Sequence, residues 1–516
     1  MSHGARRAIT LAPGAVRVQF GRNAALLRRP TRTLGACPLS NRRRSSRRSS
    51  PLPFSRPFLL AALLAAAAPA SGLVRAASAQ RATLERITHR DTLANGLEVL
   101  VIENHAVPIA TVEMAFRTGA MSQTSDDQGV PHLFEHMLFR SYRGDGQRPF
   151  ASEAGSLHAG YNGVTTEEMV AYYLTLPSAN TASGVRLLSR LVRDPRFTQK
   201  DLNTERFVVL GEMDRQRSEP LFHLRQEVSK LLWGAAWPSK NPIGETLPLM
   251  AVTPGRLTGI YHRYYVPNNG ALIVTGDVSA PAVLAMARRD FGGWQRSADP
   301  YAGHPVAAVP PLDSSRAVVV TGDVSDVTVL IEWQGPSVGT DPRGTYAADV
   351  FSDLVDDEES AFQKRLVDSG LFRTATVGYQ TLDHVGPVMF EGTTTMRQLA
   401  AALTVLQTEL RAMSNDDFFD PDALAVAQKR RMVQSAFGLE DGVSLAQSLG
   451  YTWSVAGLDY FLGYVDNMSA IGVPDLRAYV QRYLTKPYVI GVLARPADGS
   501  TIAGMLQQYF ELSEAR

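Results

Sequence analysis

The sequence contains a single cysteine, Cys37, in 516 residues, and it lies near the amino terminus. One thiol cannot form an intramolecular disulfide, so the fold does not depend on one. A zinc site in the body of the chain would need histidine and carboxylate ligands, because that part offers no thiolate. Histidine is also scarce, with ten residues in the whole chain, so any histidine pair at a metal-binding spacing stands out.

Acidic residues are absent before Glu85, whereas arginine is dense there. The formal net charge of +2 therefore reflects the front segment, and the rest of the chain is mildly acidic. The body contains no basic stripe with interleaved aromatic residues, which argues against nucleic acid as a partner.

The sequence also lacks an apolar run long enough to predict a membrane span with confidence. Its most apolar stretch, residues 57–68, follows an arginine-rich region and precedes the A-x-A sequence Ala77-Ser78-Ala79. This order is typical of a secretory signal peptide. We predict that residues 1–79 are a leader removed on export, that the mature chain has no stable membrane span, and that it is periplasmic or otherwise exported. A mitochondrial transit peptide, which is also rich in arginine, is the alternative.

One short stretch, residues 129–140, contains two of the ten histidines. In a helix, His132 and His136 would lie one turn apart and could bind one metal ion. Pro131 suits the first turn of that helix, and Asp126 or Asp127 suits its N-cap. The pattern H-x-x-E-H is the inverse of the common H-E-x-x-H zinc motif.

A catalytic zinc needs three protein ligands, an open position for water and a nearby carboxylate to accept the water proton. Glu135 supplies such a carboxylate between the two histidines, so a third ligand is required from elsewhere. Glu205 and Glu212 are seven residues apart and would share one helical face. By themselves they could equally belong to a solvated helix surface.

Together, the two stretches resemble the M16 family of metallopeptidases, which includes pitrilysin, insulin-degrading enzyme and mitochondrial processing peptidase. That family follows H-x-x-E-H with a glutamate about 75 residues later, in a segment like E-R-x-V-V-x-x-E. Here 75 residues separate His136 from Glu212. The resemblance implies His132, His136 and Glu212 as Zn²⁺ ligands and Glu135 as the general base. It also implies that Glu205 is an outer partner that orients a ligand.

The family also places N-A-x-T beside the zinc, where the asparagine contacts the substrate backbone. This chain keeps Asn162 and Thr165 but has Gly163 in place of the alanine. The resemblance therefore implies that Asn162 and Thr165 bind substrate, and the alternative is an ordinary Asn-Gly turn between two strands. An exposed strand here would let an extended peptide add to the sheet by β-pairing.

The chain divides into two halves with the same order of patterns: an alternating strand ending in glycine, and later a closing strand followed by a final helix. We predict an α+β fold of two tandem homologous mixed α/β domains of the M16 (LuxS/MPP-like) type. The domains are residues 80–300 and 313–516, joined by the proline-rich linker 301–312. Histidine is absent from the second-half helix expected near residues 346–357, so the first domain alone carries the zinc site.

Active members of the family carry an arginine and a tyrosine in the second half that help to bind substrate. Here Leu366 stands at the arginine position and Arg373 at the tyrosine position, and Arg365 or Tyr379 could replace them only out of register. Short family members often work in pairs. The resemblance therefore implies a homologous M16 subunit that supplies the missing pair in a heterodimer, or otherwise a homodimer.

The sequence thus predicts an exported zinc-dependent endopeptidase that hydrolyses peptides or unfolded segments with metal-activated water and Glu135 as the base. Two alternatives remain open at this point. The chain could be a non-catalytic assembly subunit with the same fold, although such subunits usually have broken zinc motifs. It could also be a peptidase that removes leader segments from specific proteins.

Overall fold

The computed structural model of the protein describes residues 70–144 and 148–510. The arginine-rich and apolar parts of the predicted leader lie outside the described residues. The described strands are β1 (Thr88–Thr92), β2 (Glu98–Glu103), β3 (Ile109–Phe116), β4 (Gly160–Thr165), β5 (Val170–Pro177), β6 (Gly270–Gly276), β7 (Arg316–Thr321), β8 (Val327–Gln334), β9 (Thr374–Tyr379), β10 (Pro387–Thr394) and β11 (Tyr488–Ala494).

The strands form two mixed sheets with matching topology. The first sheet has the order β1-β2-β6-β3-β5-β4, and the second has the order β7-β11-β8-β10-β9. Each contains one parallel pair, β2 with β6 and β7 with β11, and its remaining pairs are antiparallel. Apart from β1, the strands therefore correspond one to one. This confirms the predicted fold class of two homologous α+β domains.

Helices surround both sheets, and the proline-rich segment 301–312 between the sheets contains neither helix nor strand. The longer helices of the first half are α1 (Ala70–Ile87), α2 (Val130–Ser141), α3 (Phe150–Ser156), α4 (Thr181–Arg193), α5 (Gln199–Arg217), α6 (Pro220–Trp233), α7 (Thr246–Ala251), α8 (Pro254–Tyr264) and α9 (Ala280–Phe291). Those of the second half are α10 (Pro342–Val355), α11 (Leu399–Ala412), α12 (Pro421–Gly438), α13 (Gly442–Val455), α14 (Leu458–Ser469), α15 (Val473–Tyr479) and α16 (Gly499–Tyr509).

Both faces of the first sheet are buried, and strand β3 shows how its sequence satisfies this. Val112, Met114 and Phe116 point to one face, where they join the apolar cluster that contains residues of α2, α4 and α9. Ala115 points to the opposite face and joins a cluster with residues of α13. A strand covered on both sides must be apolar at nearly every position, as β3 is.

Each half packs one of its helices on the sheet of the other half. Helix α6 of the first half packs on β7, β8 and β11, and α13 of the second half packs on β3 and β6. The approach is close, because a methyl group added at Gly491 would lie 2.3 Å from Val228 Cγ2. On the other side, Thr275 Oγ1 donates a hydrogen bond to the Gly442 carbonyl at 2.7 Å. Each sheet is therefore completed by a helix from the other half.

Helix α1 also joins the halves. Ala77 lies in the core cluster of the second half, whereas Leu84 lies in the cluster between the first sheet and α13. Gln80 Nε2 donates to Ser435 Oγ at 3.2 Å. The predicted cleavage sequence Ala77-Ser78-Ala79 thus lies within a helix whose Ala77 is buried. None of the described helices is long and apolar enough to cross a membrane.

Glu113 is a buried acid at the contact between β3 and α13. It is fully buried, and neither carboxylate oxygen has a hydrogen-bond partner among the described residues. A methyl group added at Gly450 of α13 would lie 1.9 Å from Glu113 Oε1. Burial raises the pKa of Glu113 to about 8, so its side chain is mostly protonated at neutral pH in the folded protein.

We expect Glu113→Gln to flatten the pH dependence of stability. Between an unfolded pKa of about 4.3 and the folded pKa of about 8, the folded protein holds a proton that the unfolded chain has released. The free energy of unfolding therefore falls as pH rises through this window. Urea unfolding at pH 5.5 and 8.5 should show that the variant loses less stability than wild type, by about 3 kcal/mol. The exposed control Glu358→Gln should behave like wild type, and a Glu113→Gln variant with an unchanged slope would contradict the assignment.

Candidate metal centre and active site

Helix α2 begins differently from the sequence prediction. Its N-cap is Gly129, in the left-handed conformation with φ of 85°, and neither Asp126 nor Asp127 occupies that position. The Gly129 N–H donates to Gln123 Oε1 at 2.6 Å, while Asp127 pairs with Arg256. A side chain at position 129 would also approach the Ile243 carbonyl oxygen to 2.8 Å, so tertiary packing selects glycine here. Pro131 lies in the first turn, as predicted.

Helices α2 and α5 pack side by side and bring the three expected ligands together. His132 Nε2 lies 3.7 Å from Glu212 Oε2, and His136 Nε2 lies 3.6 Å from the same oxygen. One ligand atom from each of the three residues lies within 4.8 Å of the others. The structure therefore brings ligand atoms of His132, His136 and Glu212 close enough together to share one metal ion.

This cluster fits a zinc ion. Zinc binds imidazole nitrogen and carboxylate oxygen at about 2.0–2.2 Å, which places tetrahedral ligands a little over 3 Å apart. The observed separations of 3.6 and 3.7 Å need only a small contraction. Burial lowers the pKa of His132 to about 3, so its imidazole is neutral and keeps a lone pair for a metal. Two imidazoles and one carboxylate leave the fourth position open.

Glu205 lies on the far side of His136 from Glu212. Its Oε2 is 3.6 Å from His136 Nδ1, whereas His136 Nε2 faces Glu212. A carboxylate beside the non-ligating nitrogen orients the ring and increases its basicity. Burial acts to lower the pKa of His136, but Glu205, Glu135 and Glu212 outweigh it and raise the pKa. This position suits the outer role that the resemblance implies for Glu205.

Glu135 points from α2 toward strand β4. It is 7% exposed, and Thr165 Oγ1 donates a hydrogen bond to its Oε2 at 2.8 Å. Burial raises the pKa of Glu135 to about 7. A methyl group added at Gly163 would lie 2.5 Å from Glu135 Oε1. Glycine, where the family has alanine, therefore leaves room for this carboxylate, and the sequence did not predict the contact with Thr165.

A cavity of about 900 Å³ opens beside these residues. Its lining includes His132, Glu135, His136 and Glu212, together with Asn162 and Thr165. Strand β4 lies at the edge of the first sheet and pairs with β5 alone, so its outer edge is available along the cavity. The Asn162 side chain is exposed there, whereas the Thr165 hydroxyl already binds Glu135.

The cavity has a cationic component that the sequence reasoning missed. Arg140, Arg143, Lys200 and Arg215 line it. Arg143 is held by Asp201 at 2.9 Å, and Arg140 lies 3.4 Å from the same carboxylate. Lys200 and Arg215 form no ion pair with another described residue. Helical spacing was the available sequence signal, because Arg140 follows His136 at i+4 and Arg215 follows Glu212 at i+3.

The second half contributes no residue to the described lining of this cavity, whose members all lie between positions 132 and 216. Leu366 is buried, and Arg373 pairs with Asp326 at 2.8 Å. Arg365 pairs with Glu409, and the Tyr379 hydroxyl donates to the Pro336 carbonyl at 3.0 Å. None of these side chains replaces the expected arginine and tyrosine in the described part of the cavity.

Family models match both halves of the chain. The model for insulinase, peptidase family M16, matches residues 98–245, and the model for the M16 inactive domain matches residues 251–430. Together they cover more than half of the sequence. This chain belongs to the M16 peptidase family. The description of the second model agrees with the location of the ligand set in the first half alone.

Relatives of this M16 protein include named zinc proteases. An uncharacterized zinc protease of Mycobacterium leprae is 22% identical over 81% of this chain and 94% of that protein. The probable zinc protease PqqL of Haemophilus influenzae is 25% identical over 39% of this chain. The match spans 22% of PqqL, so the chain corresponds to part of that relative. A mitochondrial-processing peptidase subunit beta from Blastocladiella emersonii is 26% identical over 39% of this chain and 43% of that protein.

Solved structures share the fold. A protease from Helicobacter pylori superposes with a TM-score of 0.69 at 19% identity, covering 79% of this chain and 99% of that protein. The periplasmic protease PqqL from Escherichia coli gives a TM-score of 0.67 at 17% identity, covering 83% of this chain and 51% of that protein. At such identities the likeness establishes architecture alone.

We expect zinc affinity to separate the ligands from their outer partner. Glu212→Gln removes a metal ligand and should abolish stoichiometric binding. Glu205→Gln leaves the ligands in place and should weaken binding by roughly 10–100-fold, because it loosens the orientation of His136. Competition with a chromophoric chelator measures both effects, and Glu219→Gln, an exposed acid just beyond α5, is the control. Equal zinc affinities for wild type and Glu212→Gln would show that Glu212 is not a zinc ligand.

Proposed function

We propose that this M16 protein is a zinc-dependent endopeptidase that hydrolyses peptides or unfolded polypeptide segments. The observation that carries the proposal is the meeting of His132, His136 and Glu212 beside Glu135, at a cavity bordered by a free strand edge. The named zinc proteases among its relatives support the same activity.

His132, His136 and Glu212 would hold Zn²⁺. A bound Zn²⁺ would supply Lewis-acid chemistry, lowering the pKa of the attacking water and polarising the scissile carbonyl. Glu135 accepts the water proton and passes it to the leaving amine, a role that suits a carboxyl whose pKa is raised to about 7. Thr165 holds that carboxylate through its hydroxyl.

The edge of β4 offers a binding mode for an extended substrate. An added strand would pair through main-chain hydrogen bonds, which act on any sequence. Asn162 lies exposed on this strand and lines the cavity, where its amide can contact the substrate backbone. A site that binds the substrate through its main chain rather than its side chains favours unfolded segments and cleavage at internal peptide bonds.

Two observations rank the alternatives. The complete ligand set and the adjacent base weigh against a purely structural assembly subunit. The cationic side chains in the cavity weigh against a peptidase specialised for arginine-rich leaders, because Lys200 and Arg215 would repel such segments.

The proposal also includes a second, homologous M16 subunit. The described cavity receives no arginine or tyrosine from the second half of this chain, so a homologous partner supplies them in a heterodimer. Exported localisation belongs to the proposal too, by analogy with the periplasmic protease PqqL among the structural neighbours.

We expect Glu135→Gln to bind zinc like wild type and to hydrolyse peptides roughly a hundredfold to ten-thousandfold more slowly, because it cannot accept the water proton. Quenched fluorescent peptides and metal analysis measure the two properties. Each protein is assayed alone and with a candidate homologous subunit.

Acceleration of wild type by the partner, with the variant still inactive, supports both the activity and the division of residues between subunits. Hydrolysis that no partner changes would overturn the two-chain part. A zinc-loaded wild type that remains inert with all partners would favour the assembly-subunit alternative.

We also expect peptides with aspartate or glutamate within about six residues of the scissile bond to be cleaved faster than matched lysine or arginine peptides, because Lys200 lies about 18 Å along α5 from Glu212. The preference should shrink as salt is raised, since charges near the surface are screened. The double variant Lys200→Glu, Arg215→Glu should reduce the ratio of kcat/KM values by about tenfold. The remote control Arg397→Glu should leave it unchanged, and an unaltered ratio in the double variant would contradict the assignment.

A further inference from the structure

We propose that Glu168 is a positioning residue, through which a second-half loop, residues 380–386, fixes the turn that follows β4 and so keeps Thr165 in contact with Glu135. The inference rests on the proposed function, because it concerns the placement of the proposed base. It assigns the second half a part in that site although no described second-half residue lines the cavity.

The Glu168 carboxylate is almost completely buried and is saturated by the second-half loop. It is 1% exposed. Its Oε2 accepts the Asp383 N–H at 2.7 Å, and its Oε1 accepts the His384 N–H at 3.0 Å. His384 Nδ1 lies 2.9 Å from the same Oε1. Three donors on one buried carboxylate make a strong and directional attachment.

Neighbouring contacts reinforce the attachment. Glu167 Oε2 accepts a hydrogen bond from Gln380 Nε2 at 2.8 Å. Lys240 Nζ donates to the Val385 carbonyl at 2.6 Å and lies 5.0 Å from the centre of the Trp233 ring. The loop is thus fixed to the first half along its length, and the residues that follow β4 are held by side chains as well as by their own backbone.

The opposite side of the turn is held by the segment that leads toward α2. The Ala120 N–H donates to the Thr166 carbonyl at 3.1 Å, and the Met121 N–H donates to the Glu167 carbonyl at 2.7 Å. Gly119 adopts φ of 146°, and a side chain there would approach the Thr166 carbonyl oxygen to 2.4 Å. The turn therefore lies between two supports, one from each half.

Thr165 is the last residue of β4 and directly precedes this turn. Its hydroxyl lies 2.8 Å from Glu135 Oε2. A displacement of the turn by about 1 Å would stretch this contact beyond hydrogen-bonding distance. The second half thus reaches Glu135 through Glu168, the turn and Thr165, without entering the cavity.

A double-mutant cycle distinguishes positioning from general support of the fold. Glu168→Gln should lower kcat by about tenfold with zinc affinity unchanged. If Glu168 acts through Thr165, the same substitution in a Thr165→Val background should cause no further loss, because the contact it positions is already missing. Equal losses of kcat in both backgrounds would overturn the proposal. His384→Ala, which removes a single contact, should show the same pattern at smaller size and serves if Glu168→Gln does not fold.

Amide hydrogen exchange supplies a readout that needs no activity. In the zinc-loaded protein, peptides that cover residues 160–169 should exchange at least about tenfold faster in Glu168→Gln than in wild type, since the turn has lost its anchor. The control Glu391→Gln removes the pair with Arg225, another contact between the halves at 2.6 Å, and should leave these peptides unchanged. Unchanged amide exchange in Glu168→Gln would refute the proposal that Glu168 holds this turn. If wild type hydrolyses no peptide, the proposed function fails, but the exchange data still test whether Glu168 holds the turn.

Discussion

The contact between helices α2 and α5 is the interaction on which the site depends. Residues later in α2 meet residues earlier in α5: Arg140 contacts Asp201, His136 contacts Glu205, and His132 contacts Glu212. This antiparallel pairing brings two distant sequence segments together, so that the arginine and the histidines of α2 face carboxylates of α5. The carboxylates around His136 outweigh its burial and raise its pKa, whereas burial lowers the pKa of His132 and leaves that imidazole neutral.

The second half keeps the fold but fills the equivalent helix contact differently. Where α10 meets α12, Arg431 pairs with Asp353 in place of a histidine cluster. Nearby, the Tyr464 hydroxyl donates to Asp349 Oδ2 at 2.9 Å, and burial raises the pKa of Asp349 to about 7. A guanidinium carries a permanent positive charge and cannot ligate a metal. The first half therefore has a candidate metal-ligand set at this helix contact, whereas the second half has a guanidinium there.

The exchange of α6 and α13 makes the halves interdependent. Each sheet would expose an apolar face without the helix from its neighbour, because Leu330 lies beneath α6 and Ile273 beneath α13. Such an exposed face is a large cost in water. The second half thus contacts the first through packing and through the loop bound to Glu168, and none of its described side chains lines the cavity. This arrangement is consistent with a family in which the second domain matches a model named as inactive.

The sequence by itself determined the local part of the site and the outline of the fold. His132, Glu135 and His136 were predicted as site residues because helical spacing is a local property, and Glu212 and Glu205 were predicted by resemblance to a known motif at the same distance. Alternating strands and closing helices were enough to indicate two homologous domains. Tertiary structure alone decided the Gly129 cap, the Thr165 contact with Glu135, the exchanged helices and the Glu168 attachment. Each of these joins residues that sequence periodicity does not relate, and each depends on where a buried polar group finds its partner after the chain has packed.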